Sequence, residues 1–217
     1  MAIITVDDTG SNSIIVVPGA NMEIDNKSIE DAENVIKNSK LLIAQFETPL
    51  DITIKAFEIA KKNGVTTILN PAPAKNIPDE LLKLTDIIIP NETEAFELTG
   101  IKVEDINGVK EAADSFMGKG VKFVIITLGE RGAALVSNDK FSVIPAYKVK
   151  AIDTTAAGDS FIGALASKLQ NEDKVDFEII EKAIKFANKV SALVVQRQGA
   201  QPSLPHLEEV IKLYREE

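Results

Sequence analysis

Cysteine is absent from the 217 residues and histidine occurs once. Disulfides, thiolate metal sites and any site built on several imidazoles are therefore excluded. His206, between Pro205 and Leu207, has no partner motif and reads as a residue at a surface helix start. Long apolar runs are missing too: stretches such as Phe123-Val124-Ile125-Ile126 fall far short of the ~20 residues that a spanning helix requires. Residues Met1 to Asp8 carry no basic region ahead of an apolar stretch and read as a strand, not as a signal peptide. A cytoplasmic location is the default expectation. Basic residues are in deficit, 24 Lys and Arg against 33 Asp and Glu, for a net charge of −9. That balance argues against nucleic acid or an acidic membrane as partner, since no cationic excess is available to displace counterions. Neither Gly-x-x-x-x-Gly-Lys-Ser/Thr nor Gly-x-Gly-x-x-Gly occurs, so a P-loop ATPase and a conventional dinucleotide binder lose their support.

What is present is a chain with 45% hydrophobic residues, long enough for a real core and expected to form one domain over 1–217. Apolar runs Ile3 to Val6 and Ile14 to Val17 flank Asp7-Asp8-Thr9-Gly10-Ser11-Asn12 and read as a hairpin. A helix follows from Ser28, with Ser28 and Asp31 as candidate caps and Ile29, Ala32, Val35 and Ile36 on one face. Strands are expected at Leu41–Ala44, Val65–Leu69, Asp86–Ile89 and Val121–Thr127. Helices are expected between them at Asp51–Asn63, Leu81–Leu84, Glu92–Thr99 and Val109–Met117. This alternation implies a mostly parallel sheet covered on both faces. Ala133–Ser137 and Phe141–Ile144, separated by Asn138-Asp139-Lys140, break the rhythm with an antiparallel hairpin. Helices near Gly158–Leu169, Phe177–Val194 and Leu207–Arg215 complete a three-layer α/β/α sandwich with a small β appendage over residues 1–20.

The segment Asp153-Thr154-Thr155-Ala156-Ala157-Gly158-Asp159 lies between a strand-like run and an amphipathic helix. Its small residues allow close approach, and the N–H groups of Thr155, Ala156, Ala157 and Gly158 at a helix start suit phosphate oxygens. Asp159 is placed to accept a proton from an attacking hydroxyl. The same acids also suit plain helix capping. Asn91 and Glu94 have the spacing of a capping box. Gly129 and Gly132 suit a tight loop. Glu47 in Gln45-Phe46-Glu47-Thr48-Pro49-Leu50 ends a strand where α/β proteins bind ligands.

Taken together these segments resemble the carbohydrate kinases typified by ribokinase, residue by residue over Asp153–Asp159. The resemblance implies ATP-dependent phosphorylation of a sugar, D-ribose at its 5-hydroxyl by preference, because Gln45–Pro49 and Asn70-Pro71-Ala72-Pro73-Ala74 look more like ribokinase than like fructokinases or adenosine kinases. It makes Asp159 the catalytic base, with Ala156, Ala157 and Gly158 forming the anion hole and Glu47 a sugar contact. It assigns Asn91, the loop Thr127-Leu128-Gly129-Glu130-Arg131-Gly132, Gly158, Asp159 and Asn188 to the nucleotide. Glu94 would act on magnesium through water, and potassium would lie near Asp153, Thr155, Val194, Arg197, Gly199 and Ser203. A homodimer is expected. The family's first strand, its sugar-binding Asp and its Gly-Gly-Lys-Gly-x-Asn element have no counterpart in these residues, and Gly19-Ala20-Asn21 fits a return from the hairpin instead. A nucleotide-binding chain without catalysis, and a kinase for another sugar or a nucleoside, are the competing readings.

Overall fold

The structure is a computed structural model that describes residues 2–6 and 12–214. It opens with strands β1 (Ala2–Val6) and β2 (Asn12–Val16), antiparallel with Ala2 opposite Val16 and Val6 opposite Asn12. The hairpin expected from the two apolar runs is thus present, while its turn from Asp7 to Ser11 lies outside the described residues. The chain divides into two compact units. One comprises Pro18–Leu128 with Ala134–Val143, the other Met1–Val17, Gly129–Ala133 and Ile144–Glu217.

The first of these units carries the sheet. Helix α1 (Asn26–Lys37) starts one turn earlier than Ser28 suggested: Asp25 is the N-cap, and its carboxylate accepts the N–H of Ser28 at 2.9 Å. Ser28 closes the capping box from the N3 position. Ile36 is buried and Ile29 and Ala32 pack beside it, but Val35, expected on the same face, is 70% exposed. Strand β3 (Leu41–Ala44) leads into α2 (Leu50–Lys62), whose buried stripe of Ile52, Ala56, Phe57 and Ala60 follows the helical period. Gly64 stops α2 in the left-handed region at φ 74°, where a side chain would be strained. Then come β4 (Thr66–Leu69), α3 (Asp79–Lys83), β5 (Ile87–Ile88), α4 (Glu92–Thr99), α5 (Ile106–Met117) and β6 (Phe123–Thr127).

Strands β3 to β6 pair in parallel, Leu41 opposite Thr66, Ile68 opposite Ile87 and Ile88 opposite Val124. Strands β7 (Ala133–Val136) and β8 (Phe141–Ile144) extend the sheet to the order β3-β4-β5-β6-β7-β8, joined by a hairpin in which Ser137 N–H donates to Lys140 C=O at 2.9 Å. The α/β expectation, a mostly parallel sheet flanked by helices with an antiparallel hairpin late in the chain, is met. Phe57, Leu69, Leu81, Ile88, Ala112, Val124 and Ile126 form one core. Burial of the large side chains at about 1.5–3 kcal/mol each fixes the helices on the sheet more firmly than their intrinsic propensity could.

The second unit is helical beyond its hairpin. Helix α6 (Ala157–Leu169) packs along α7 (Phe177–Val194), and a short α8 (Leu207–Leu213) follows. Asp176 caps α7 through the N–H of Ile179. Among the described residues no helix is long and apolar enough to cross a membrane.

Candidate active site

Parallel pairing brings the C-terminal ends of β3 to β6 to one edge of the sheet, where open α/β sheets bind ligands. Glu47 follows β3 there and is exposed, while neighbouring Phe46 is buried. The backbone around them is anchored: Phe46 N–H donates to Ala72 C=O at 2.8 Å, Lys75 Nζ donates to Phe46 C=O at 2.5 Å, and Asn70 Nδ2 donates to Ile89 C=O at 3.0 Å. After β5, Asn91 Oδ1 accepts Glu94 N–H at 2.8 Å and a Glu94 carboxylate oxygen accepts Asn91 N–H at 2.9 Å. The capping box is therefore real, and it occupies one face of each side chain. Burial raises the Glu94 carboxyl above its ordinary value, with the Asn91 N–H working against that rise. Thr127 bridges to Asn91 and donates its N–H to Pro90 C=O at 3.0 Å, whereas the Leu128 side chain is in the core. Leu128 can meet a ligand only through its backbone.

In the second unit, Gly129–Arg131 form a single 3₁₀ turn, with Glu130 and Arg131 outside the core. Gly132 N–H closes the turn on Gly129 C=O at 3.1 Å. Gly132 is irreplaceable on two counts, a φ of 98° and an added Cβ only 2.0 Å from Ile144 O. Asn188, buried in α7, donates through Nδ2 to Ile144 C=O at 3.2 Å and Pro145 C=O at 3.0 Å. Its amide nitrogen holds backbone, leaving Oδ1 as the atom that could face a ligand.

The Asp153–Asp159 turn is held from several sides. Ile152 N–H and Asp153 N–H both donate to Val195 C=O, at 2.7 and 3.2 Å. The buried Asp153 carboxylate accepts Thr155 N–H at 2.9 Å and Gly199 N–H at 2.8 Å. The Thr155 hydroxyl, then the Gly199 and Thr155 N–H groups, hold this carboxyl below the usual carboxylate range. Ala156 stands at φ 60°, ψ 12°, the one non-glycine residue at positive φ among those described. Such a conformation costs an L-residue about 1–2 kcal/mol. Here it starts α6. Two of the expected anion-hole donors are spoken for, Thr155 N–H by Asp153 and Ala157 N–H by Thr154 C=O at 3.2 Å. The first α-type bond of α6 is Ser160 N–H to Ala156 C=O at 2.9 Å, so the N–H groups of Gly158 and Asp159 lack a carbonyl one turn back within the helix. The N–H groups of Gly158 and Asp159 therefore lie at the open start of α6. An added Cβ on Gly158 would meet nothing within 4 Å, and Asp159 is exposed at the rim of a cleft of about 530 Å³ in which Ala156, Gly163, Phe186, Val190 and Leu204 take part.

The set assigned to potassium falls into two linked groups. Asp153, Thr155 and Gly199 are joined by the bonds above. Val194, Arg197 and Ser203 are joined by Arg197 N–H to Val194 C=O at 3.0 Å and by the Arg197 guanidinium, which reaches Ser203 C=O at 3.5 Å and also pairs with Glu209. Among the described residues no group of three or more His, Cys, Asp or Glu side chains could hold a metal ion. His206 is exposed at the N-cap of α8. Ser191 was not singled out from sequence, yet its Oγ donates to Ala157 C=O at 3.2 Å. A lone serine inside an amphipathic helix, one turn after Asn188, was the available signal.

Residues 1–207 match the family model of the pfkB family carbohydrate kinases. The chain belongs to that family. A ribokinase of Staphylococcus aureus (strain COL) is 50% identical over 209 residues, covering 96% of this chain and 67% of the relative. A bifunctional ribokinase/ribose-5-phosphate isomerase A of Fructilactobacillus sanfranciscensis is 47% identical over 216 residues, covering 100% of this chain and 39% of the relative. The structure of an Arabidopsis thaliana ribokinase complexed with ribose and ATP superimposes with a TM-score of 0.87 at 33% identity, covering 100% of this chain and 69% of the other. This pfkB-family chain thus spans about two thirds of the length of the single-function ribokinases it matches.

Proposed function

We propose that the chain carries the phosphoryl-transfer machinery of a ribokinase, moving the γ-phosphoryl group of ATP to the 5-hydroxyl of D-ribose. The observation that carries this reading is the strained Ala156 turn. It opens a 13-residue helix with N–H groups and an exposed carboxylate at its start, inside a carbohydrate-kinase sequence. Asp159 takes the hydroxyl proton as the sugar oxygen bonds to the γ-phosphorus and the bond to the β-bridging oxygen breaks, releasing ADP. The N–H groups of Gly158 and Asp159, at the positive end of the α6 dipole, stabilise charge on the transferring oxygens.

Asn91, Thr127, the backbone of Leu128, the Gly129–Gly132 turn with Glu130 and Arg131, and Asn188 serve the nucleotide on this reading, and Glu47 contacts the sugar. Magnesium would arrive on the ATP phosphates and keep most of its waters, so one carboxylate, Glu94, acting through water suffices in place of a protein-built cage. Potassium would lie by Asp153, Val194 and Ser203, whose carboxylate and backbone carbonyls are the kind of oxygen a large monovalent ion accepts. It would keep the turn ordered. The protein acts in the cytoplasm as a homodimer.

A second reading has an observation of its own: the chain spans about two thirds of its ribokinase relatives' length. Sugar contacts fewer than a ribokinase needs would leave ATP binding without transfer. Ribose-dependent ADP release by the purified chain, with calorimetric titration of ATP and of ribose, separates the two. Kinase function requires turnover that Asp159→Asn lowers at least about a hundredfold with ATP affinity retained. Binding of ATP alone, with no turnover, would leave the second reading standing.

A further inference from the structure

The Ala157–Gly158 peptide group has two ends with different jobs. Its N–H belongs to Gly158, in the first turn of α6, where the chain offers donors to the transferring phosphate on the reading above. Its C=O belongs to Ala157 and accepts the Ser160 hydroxyl at 2.9 Å and the Ser191 hydroxyl at 3.2 Å. Ser160 makes a local bond within its own helix. Ser191 does not: it reaches across from α7, half-buried and one helical turn after Asn188, which holds the backbone at Ile144 and Pro145 from the same helix.

We propose that Ser191 is a positioning residue for phosphoryl transfer, acting through the Ala157 carbonyl. Two consequences follow from that bond. First, it restrains the Ala157–Gly158 peptide plane, one peptide beyond Ala156, whose left-handed conformation stores strain that such a tie helps to hold. Second, a hydroxyl proton on the carbonyl oxygen draws electron density through the amide and makes the Gly158 N–H a stronger donor, the cooperative polarisation of hydrogen bonds in series. The Val195 carbonyl, four residues further along the chain, holds Ile152 and Asp153 by their N–H groups. The end of α7 therefore grips the turn on both sides of Ala156.

The inference rests on the kinase reading for its function but not for its geometry, and the experiment separates the two. The unmodified chain, Ser191→Ala and Ser191→Thr are compared by triple-resonance NMR and by ribose-dependent turnover. The expected result is an upfield shift of the Ala157 carbonyl carbon and a matching shift of the Gly158 amide nitrogen in Ser191→Ala, both absent in Ser191→Thr. In turnover, kcat is expected to fall about two- to tenfold in Ser191→Ala, the worth of one hydrogen bond, with KM for ATP unchanged, and to recover in Ser191→Thr. Unmoved Ala157 and Gly158 resonances overturn the proposal. So does a rise in KM without loss of kcat, or a loss of kcat that threonine fails to repair. If the unmodified chain turns over no ribose, the kinase reading fails, while the two resonances still decide whether Ser191 controls the peptide.

Discussion

Gly158 and Ala156 divide the demands of the Asp153–Asp159 turn in an unexpected way. A glycine beside a tight turn ordinarily takes the positive φ, yet here Ala156 takes it and Gly158 sits in ordinary helical geometry with open space where a side chain would be. On the kinase reading that open space is clearance for the phosphate. Gly158→Ala is expected to leave folding stability unchanged or raise it by up to about 1 kcal/mol, as alanine improves a helix. Turnover should fall at least about tenfold, because the methyl group intrudes on the approaching phosphate. Thermal melting and steady-state kinetics on one preparation check it, and a stable, fully active variant would refute the clearance argument. Ala156 gives the opposite pairing. Ala156→Val should lose roughly 1–3 kcal/mol by urea unfolding, since a β-branched side chain fits the left-handed region worse still, whereas Ala156→Gly should lose little or nothing. The small residues of this turn are legible in sequence as room for close approach to the backbone. Which of them carries the strain is not, because that depends on Val195, Gly199 and Ser191, brought in by a helix far along the chain.

Elements were legible where their own residues decide them. Glu92–Thr99, Phe177–Val194 and Phe141–Ile144 run as their patterns indicate, since apolar period and local caps suffice. Helix α1 was misread at its start because Asp25 and Ser28 can each cap, and only the geometry shows Asp25 doing so. Val35 was misread because a helical stripe does not say how wide the covering surface is. Long-range polar ties were invisible. Asp86, whose side chain is 9% exposed, joins three elements: it accepts Lys61 of α2 at 2.6 Å, Lys122 ahead of β6 at 2.8 Å, and the N–H and hydroxyl of Thr67 in β4 at 3.0 and 3.1 Å. Burial pushes its carboxyl up, but the bonds from Lys122, Lys61 and Thr67 outweigh burial and leave it lowered. A lowered native value means that Asp86 adds stability above the ordinary carboxylate range, and that this contribution is lost as pH falls through its native value. Asp86→Asn should cost roughly 2–4 kcal/mol near neutral pH, since it strands a half-buried lysine. The variant's deficit should shrink in urea melts below pH 4, and a constant deficit across pH would show that packing, not charge, is lost.

At the scale of the whole molecule the decisive fact is β3, one of the two outer strands of the sheet. Strands β4, β5 and β6 are buried, as parallel strands generally are. By contrast β3, Leu41-Leu42-Ile43-Ala44, ends the sheet with Ile43 41% exposed and no Lys, Pro or bulge within it to discourage pairing. An apolar strand edge of this kind is a template for another strand. For this chain taken alone, the edge should pair with whatever strand is offered, a second copy included. Net charge of −9 opposes that association at low ionic strength, so added salt should promote it as repulsion is screened. Light scattering across protein concentration and salt is expected to show a reversible rise in mass. Ile43→Lys should suppress it while shifting unfolding free energy by about 1 kcal/mol or less, because Ile43 is already 41% exposed. Were Ile43→Lys to associate as strongly as the unmodified chain, the pairing surface would have to be sought in the β1–β2 hairpin, where Ile3 and Ile15 are exposed. Association would then run through that hairpin.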